Sequence, residues 1–344
     1  MLQVVCALAG RRVGVSKPIA ITLGDPAGIG PEVVLKTLLA NPQSRHPWVL
    51  VGAPWSLQCC ADALGLPMPK VDKIVAFSHT TSPVSILEPA ALAAPKDFCF
   101  GEVQAACGDL AVRSVERAAH ACLAAEAAAM VTAPINKEAI HAAGYVHDIG
   151  HQEILARMSG VNQTATMLMT PGLKVVHLST HKSLAQAVSY VRRDTVLDKL
   201  RLLHDTLTRW GMQRPRIALA ALNPHGGEGG LLGAEEVEQL TPAVADAVIL
   251  GIDVTGPVPA DSVFNRAING EFDVVLARYH DQGHIAIKVH NFHQSTTATL
   301  GIPFVRTSVD HGTAFDIAGK GVADPTGLRA AIEAAETIVD GRLT

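Results

Sequence analysis

The feature that most constrains this chain is a rhythm. Short apolar runs rich in β-branched residues lie at 18–23, 48–52, 128–132, 175–179, 216–221 and 273–277. Each leads into a polar or glycine-bearing, loop-like segment, and helix-like stretches such as 31–39 and the Ala-rich 106–129 fall between them. Strands separated by helices pair in parallel, because only a long crossover returns the chain to the same edge. Aromatic residues make up 4% of the 344 residues, so the core has to come from Ala, Val, Leu and Ile, which suits helices packed on a buried sheet. The expected fold class is α/β, and the length calls for two domains. No Gly/Ser linker marks the join. The boundaries are placed at 17–140 with 310–344 for the first domain and 141–309 for the second, after an N-terminal extension over 1–16.

A net charge of −4 gives no electrostatic reason for nucleic acid or an anionic membrane as partner. The six cysteines, Cys6, Cys59, Cys60, Cys99, Cys107 and Cys122, form no Cys-x-x-Cys pair and read as reduced thiols in a cytosolic protein. No apolar run reaches the length of a bilayer span. The first residues lack the basic start of a secretory signal, since Arg11 and Arg12 follow the apolar stretch. A cytoplasmic location is expected.

Three histidines share one context. His181 follows VVHLST, His225 follows IALAALNP, and His280 follows DVVLARY, each just past the end of an expected strand. Ligands of open α/β sheets bind at that edge, where loops from several strands meet. Three imidazoles there suit a borderline divalent metal with positions left for substrate oxygens. The chain holds 15 histidines, so the bland reading is three surface residues. Asp281 is either a partner that fixes an imidazole tautomer or a helix cap.

Two glycine loops invite a ligand. Gly24-Asp-Pro-Ala-Gly-Ile-Gly-Pro lacks the spacing of a dinucleotide fingerprint, and a tight strand-to-helix turn explains it well. The HGGEGG run, with Gly226, Gly227, Gly229 and Gly230, is the better place for a cofactor phosphate to meet backbone N–H groups, against the alternative of a plain surface loop. Lys288, after the alternating HIAI, and Arg306, after GIPFV, are candidate anion binders if they turn into the histidine cleft. His151 lies at an expected helix start.

Taken in order, ITLGDPAGIGPE (21–32), VTAPINKEAI (131–140), GHQEILA (150–156), STH (179–181), NPHGGEGGLLGAEE (223–236), YHDQGH (279–284) and LGIPFVRTSVDHGTAFDIAGKG (300–321) resemble the 4-hydroxythreonine-4-phosphate dehydrogenase family over nearly the whole chain. The resemblance implies two α/β/α sandwich domains with an active-site cleft between them, as in isocitrate and isopropylmalate dehydrogenases. It implies a homodimer with active sites at the subunit interface and a small anionic substrate. It carries the metal ligands to His181, His225 and His280, and the substrate contacts to His151, Lys288 and Arg306. Two contacts depart from the family pattern: Gln152 stands where Thr is usual, and Thr297 where Asn is usual.

The reaction implied is oxidation of a β-hydroxy acid phosphate by NAD or NADP with one divalent metal (Zn, Mg, Co or Mn), followed by loss of CO₂. Asp281, Lys137 and a metal-bound water are the candidates for the proton acceptor. The alternatives are a dehydrogenase for threonate or erythronate 4-phosphate, one for a cis-dihydrodiol of an aromatic acid, and a silent binding protein on the same fold.

Overall fold

The computed structural model describes residues 16–40, 43–148 and 150–343, so the expected extension over 1–16, apart from Ser16, and Cys6 lie outside the described residues. Twelve strands make one sheet. They are β1 (Ile19–Thr22), β2 (Trp48–Val51), β3 (Asp72–Ile74), β4 (Val84–Leu87), β5 (Ala129–Thr132) and β6 (Ala165–Thr170). The second half adds β7 (Leu173–His177), β8 (Ile217–Ala220), β9 (Val254–Val258), β10 (Val274–Ala277), β11 (Thr296–Leu300) and β12 (Val305–Val309). The order across the sheet is β3-β4-β2-β1-β5-β12-β11-β6-β7-β10-β8-β9. All six strands read from the sequence are present, and the α/β class holds.

Helices cover both faces. One face packs Ile19, Ile21, Leu50 and Val131 in the first half of the sheet and Met167, Val176, Leu219 and Leu276 in the second. The other packs Ala20, Val49 and Met130 against the helices Ala105–Leu123 and His151–Ser159. It also packs Val175, Ala218 and Val275 against Ala260–Ile268 and His280–His290. Burial of these apolar side chains, at about 25 cal/mol per Å² removed from water, is what holds the layers together.

Three expectations need correction. Pairing is not parallel throughout: β11 is antiparallel to both β12 and β6, and β6 is antiparallel to β7. For β6 and β7 the cause is Pro171-Gly172, which joins the Thr170 and Leu173 partners as a two-residue hairpin loop, with Gly172 at φ +82°; β11 and β12 are likewise consecutive strands joined by the short connection 301–304. The helix read over 106–129 stops at Leu123, because β5 starts at Ala129. The alternating HIAIK is not extended; it lies inside the helix His280–His290, where Ile287 is buried and Ile285 exposed. The two units expected at 17–140 with 310–344 and at 141–309 meet within this one sheet, where β5 pairs with β12.

Candidate active site

Between the two apolar clusters on the second face, the central strands carry polar side chains in a row. Thr132 comes from β5, Arg306 and Ser308 from β12, Thr297 and Thr299 from β11, Thr166 from β6 and His177 from β7. Alternation puts them all on one face. Arg306 is buried, at 5% exposure. Its Nε and Nη2 donate to Thr132 Oγ1 at 3.1 and 2.6 Å, and Nη1 donates to Thr299 Oγ1 at 3.0 Å. None of these partners is a carboxylate. Burial pushes the guanidinium down to about 9. Thr299 faces Thr166 across β11 and β6, and Gln152 Nε2 donates to Thr166 Oγ1 at 2.8 Å. His151 opens its helix with Nε2 buried and without a partner among the described residues. Burial first, then Arg306, hold its imidazole well below its ordinary value. Thr297 faces Ser308 across β11 and β12. Lys288 reaches the same strands from its helix, but its ammonium is already paired with Asp310, which also accepts from Ser295 Oγ at 2.7 Å. The substrate-binding set read from the sequence is therefore gathered on one face. Lys288 arrives neutralised.

The histidines expected to share one metal are not gathered within the chain. The His181 and His280 rings are 6.5 Å apart, centroid to centroid. His225 stands on a separate turn. Among the described residues no three His, Cys, Asp or Glu side chains form a group able to hold a metal. The physical reason is that His181 and His225 sit on loops beyond the sheet edge, exposed to solvent. His280 does have the expected supporter: its Nδ1 lies 2.7 Å from Asp281 Oδ1, which leaves Nε2 as the outward donor atom. Two histidines were missed. His177 packs 4.6 Å from His284, and His284 stacks 3.6 Å from His280. The cue was Gly283 in YHDQGH: a Cβ there would come 2.3 Å from His177 Nε2.

The glycine loop has a shape that sequence does not show. His225, Gly226, Gly227, Glu228 and Gly229 are all left-handed, at φ 54, 72, 77, 45 and 69°. His225 and Glu228 each pay for this, at about 1–2 kcal/mol for an L-residue. The entry to this turn is fixed by Glu236, which is 2% exposed. Its Oε1 accepts from the backbone N–H of Leu222 and Asn223 at 2.7 and 2.8 Å, and its Oε2 accepts from Asn223 Nδ2 at 2.8 Å. Burial pushes the carboxyl up, and these donors more than offset it, so it stays below its ordinary value. Gln282 ties the turn to the His280 helix: it accepts from Arg278 N at 2.7 Å and donates to Ala221 O at 2.8 Å. Replacing Glu236 by Gln puts an amide donor against donors. We expect a loss of about 1–3 kcal/mol, read as a fall in Tm of several degrees. An unchanged Tm would show that Glu236 does not hold the turn. The loop at Gly24, in contrast, is the tight turn that the bland reading expected: a Cβ on Gly24 would meet Pro134 O at 2.3 Å.

The family profile for the pyridoxal phosphate biosynthetic protein PdxA matches residues 44–335. The chain belongs to this family. It is 42% identical over 327 residues to the D-threonate 4-phosphate dehydrogenase of Salmonella typhimurium, which covers 93% of this chain and 98% of that protein. It is also 42% identical over 317 residues to the 4-hydroxythreonine-4-phosphate dehydrogenase of Beijerinckia indica, covering 92% and 93%. The crystal structure of 4-hydroxythreonine-4-phosphate dehydrogenase from Klebsiella pneumoniae superposes with a TM-score of 0.88 at 42% identity, over 94% of this chain and all of that one.

This PdxA-family protein is thus a dehydrogenase acting on a CH–OH group. The proton-acceptor candidates are placed differently in it. Asp281 is exposed and engaged with His280. Lys137 opens the helix Lys137–Ala142, and its Cε would lie 3.8 Å from a Cβ on Gly150, the residue before His151.

Proposed function

We propose that the substrate is a four-carbon hydroxy-acid phosphate without an amine, of the threonate 4-phosphate kind. The observation that carries this is charge. Arg306 is buried without a carboxylate, which suits a phosphate. The cavity of about 240 Å³ that runs from Gln152 and Thr166 past His177 to His181 is lined by Lys182 and Lys199 and by no acid. The ammonium of 4-hydroxythreonine 4-phosphate would meet only like charge or neutral groups there, whereas a hydroxyl in its place meets donors. Gln152, one departure from the family pattern, lines this cavity, and Thr297, the other, lies on the same face of the sheet.

The residues take these roles. Arg306 and His151 hold the phosphate, with Lys288 joining once Asp310 releases it. Gln152 and Thr297 orient the carbon chain. His181, His225 and His280 would hold the metal, and an all-imidazole set favours Zn or Co over Mg. A bound metal supplies a Lewis acid at the reacting hydroxyl, and a bound NAD or NADP the hydride acceptor. Asp281 orients His280, and in this reading Lys137 takes the hydroxyl proton. The left-handed turn at Gly226, Gly227, Gly229 and Gly230 offers backbone to the dinucleotide.

The metal set closes in a homodimer in this reading. The helix that begins at His280 shows Ile285, Val289 and, just past its end, Phe292 to solvent, at 60, 82 and 65% exposure. This spacing makes one apolar stripe beside the histidines, fitted to a second copy. We place the protein in the cytoplasm, where its free cysteines stay reduced. No helix of the described residues is long and apolar enough to cross a membrane.

The test is NAD(P)H formation from D-threonate 4-phosphate and from 4-hydroxythreonine 4-phosphate with Zn or Co present. We expect kcat/KM to favour the first at least tenfold, about 1.4 kcal/mol. The reverse preference would replace this reading by the amine-bearing substrate.

A further inference from the structure

Lys199 stands on the helix Arg193–Arg209, on a chain segment that none of the family motifs includes. It is half-buried, makes no hydrogen bond or ion pair among the described residues, and lines the same cavity as Gln152, His177 and His181. Burial holds its ammonium below the usual lysine range. Lys182, at the exposed mouth of this cavity, lies with Nζ 4.8 Å from the Tyr190 ring centroid. An unpaired ammonium that has given up part of its hydration regains the loss when an anion arrives. The cavity has two lysines, two histidines and no acid among its lining. A volume of about 240 Å³ is below the 300–1,000 Å³ or so of ordinary ligand clefts, so it takes one end of a ligand.

We propose that Lys199, with Lys182 at the rim, is a second anion-binding locus that holds the carboxylate of the hydroxy acid. The phosphate stays with Arg306 and His151 on β12 and the helix start. This rests on the reading above, that the substrate carries a carboxylate at one end and a phosphate at the other. The carboxylate is favoured over a dinucleotide phosphate because the cavity is shared with Gln152, which orients the carbon chain in that reading, and with His181, a ligand of the metal that meets the substrate's hydroxyl. Two separate cationic loci then measure the length of the carbon chain, and an acid lacking either anion loses one of them.

The test compares Lys199→Met and Lys199→Arg with the wild type, using whichever of D-threonate 4-phosphate and 4-hydroxythreonine 4-phosphate the wild type oxidises. Both carry the carboxylate, so an unexpected substrate preference shows in the wild type and leaves this test intact. In Lys199→Met the KM for the acid should rise about ten- to a hundredfold, with kcat and the KM for dinucleotide nearly unchanged. Lys199→Arg should recover part of the loss. Inhibition by unphosphorylated D-threonate should weaken in Lys199→Met, and inhibition by inorganic phosphate should not. Unchanged acid KM, or a rise confined to the dinucleotide KM, would overturn the assignment. So would weakened inhibition by phosphate alone, which would make Lys199 part of the phosphate site.

Discussion

Arg306→Met should lower kcat/KM by roughly 30- to 4,000-fold, taking about 2–5 kcal/mol for a lost buried charge contact and tenfold per 1.4 kcal/mol. In the same variant Tm should rise. The two signs follow from one fact: Arg306 is buried at 5% exposure on hydroxyls, Thr132 and Thr299, with no carboxylate to offset its desolvation. Exchange of a buried ionic group for an apolar side chain of similar volume is commonly neutral or stabilising by about 1–4 kcal/mol, which is about 2–4 °C for each 1 kcal/mol. If Arg306 holds the substrate's phosphate as proposed, the ligand-free fold bears a cost that the bound anion recovers, as expected where binding is placed above stability. Arg306→Lys keeps the charge but not the fork, and should recover only part of the activity. Activity is followed by NAD(P)H absorbance with the wild type's preferred substrate, and Tm by calorimetry without ligand. A fall of several degrees with intact KM would make Arg306 a structural residue, and the phosphate would have to be sought elsewhere.

The contrast between Arg306 and Thr299 shows what was legible. Arg306 closes an apolar run inside a long motif, so it could be singled out from the sequence. Thr299 and Thr166 are ordinary hydroxyls within strands, and only the antiparallel pairing of β11 with β6 sets one opposite the other. That pairing joins segments about 130 residues apart, and nothing local announces it in a pattern that otherwise argued for parallel strands. His225 is a second case. Its motif pointed to a ligand, but nothing in NPHGGEGG says that five successive residues turn left-handed, because His and Glu rarely do so unless their surroundings force it. Here the forcing comes from Glu236, more than ten residues along the chain. Lys288 is a third case: an alternating pattern of five residues is too short to exclude a helix, and the helix prevailed because Ile287 and Gly283 pack onto the sheet. Fold class and the edge that bears the site follow from local pattern. Contacts between strands, and the state of charge of each cation, do not.

A monomeric form of this protein should keep its fold and lose its metal. All three candidate ligands are present in one chain, yet no group of three donors forms among the described residues. The apolar stripe of Ile285, Val289 and Phe292 continues from His280 itself. If a second copy covers that stripe, its approach also sets what surrounds the histidines, and metal affinity becomes a property of the pair. Ile285→Asp with Val289→Asp places two charges on the stripe at exposed positions, so the folded chain itself should be little affected. The variant should elute as a monomer with unchanged far-ultraviolet circular dichroism. Zn or Co should bind at least tenfold more weakly, since loss of a mere supporting partner already costs about 10–100-fold, and turnover should fall with it. Metal content is measured after gel filtration and activity with added metal. A monomer that retains full metal would show that the histidines close on the ion within one chain after loop movement. A variant that stays dimeric would remove the stripe from the interface. Both results contradict the reading, and they separate its two parts: where the subunits meet, and what their meeting completes.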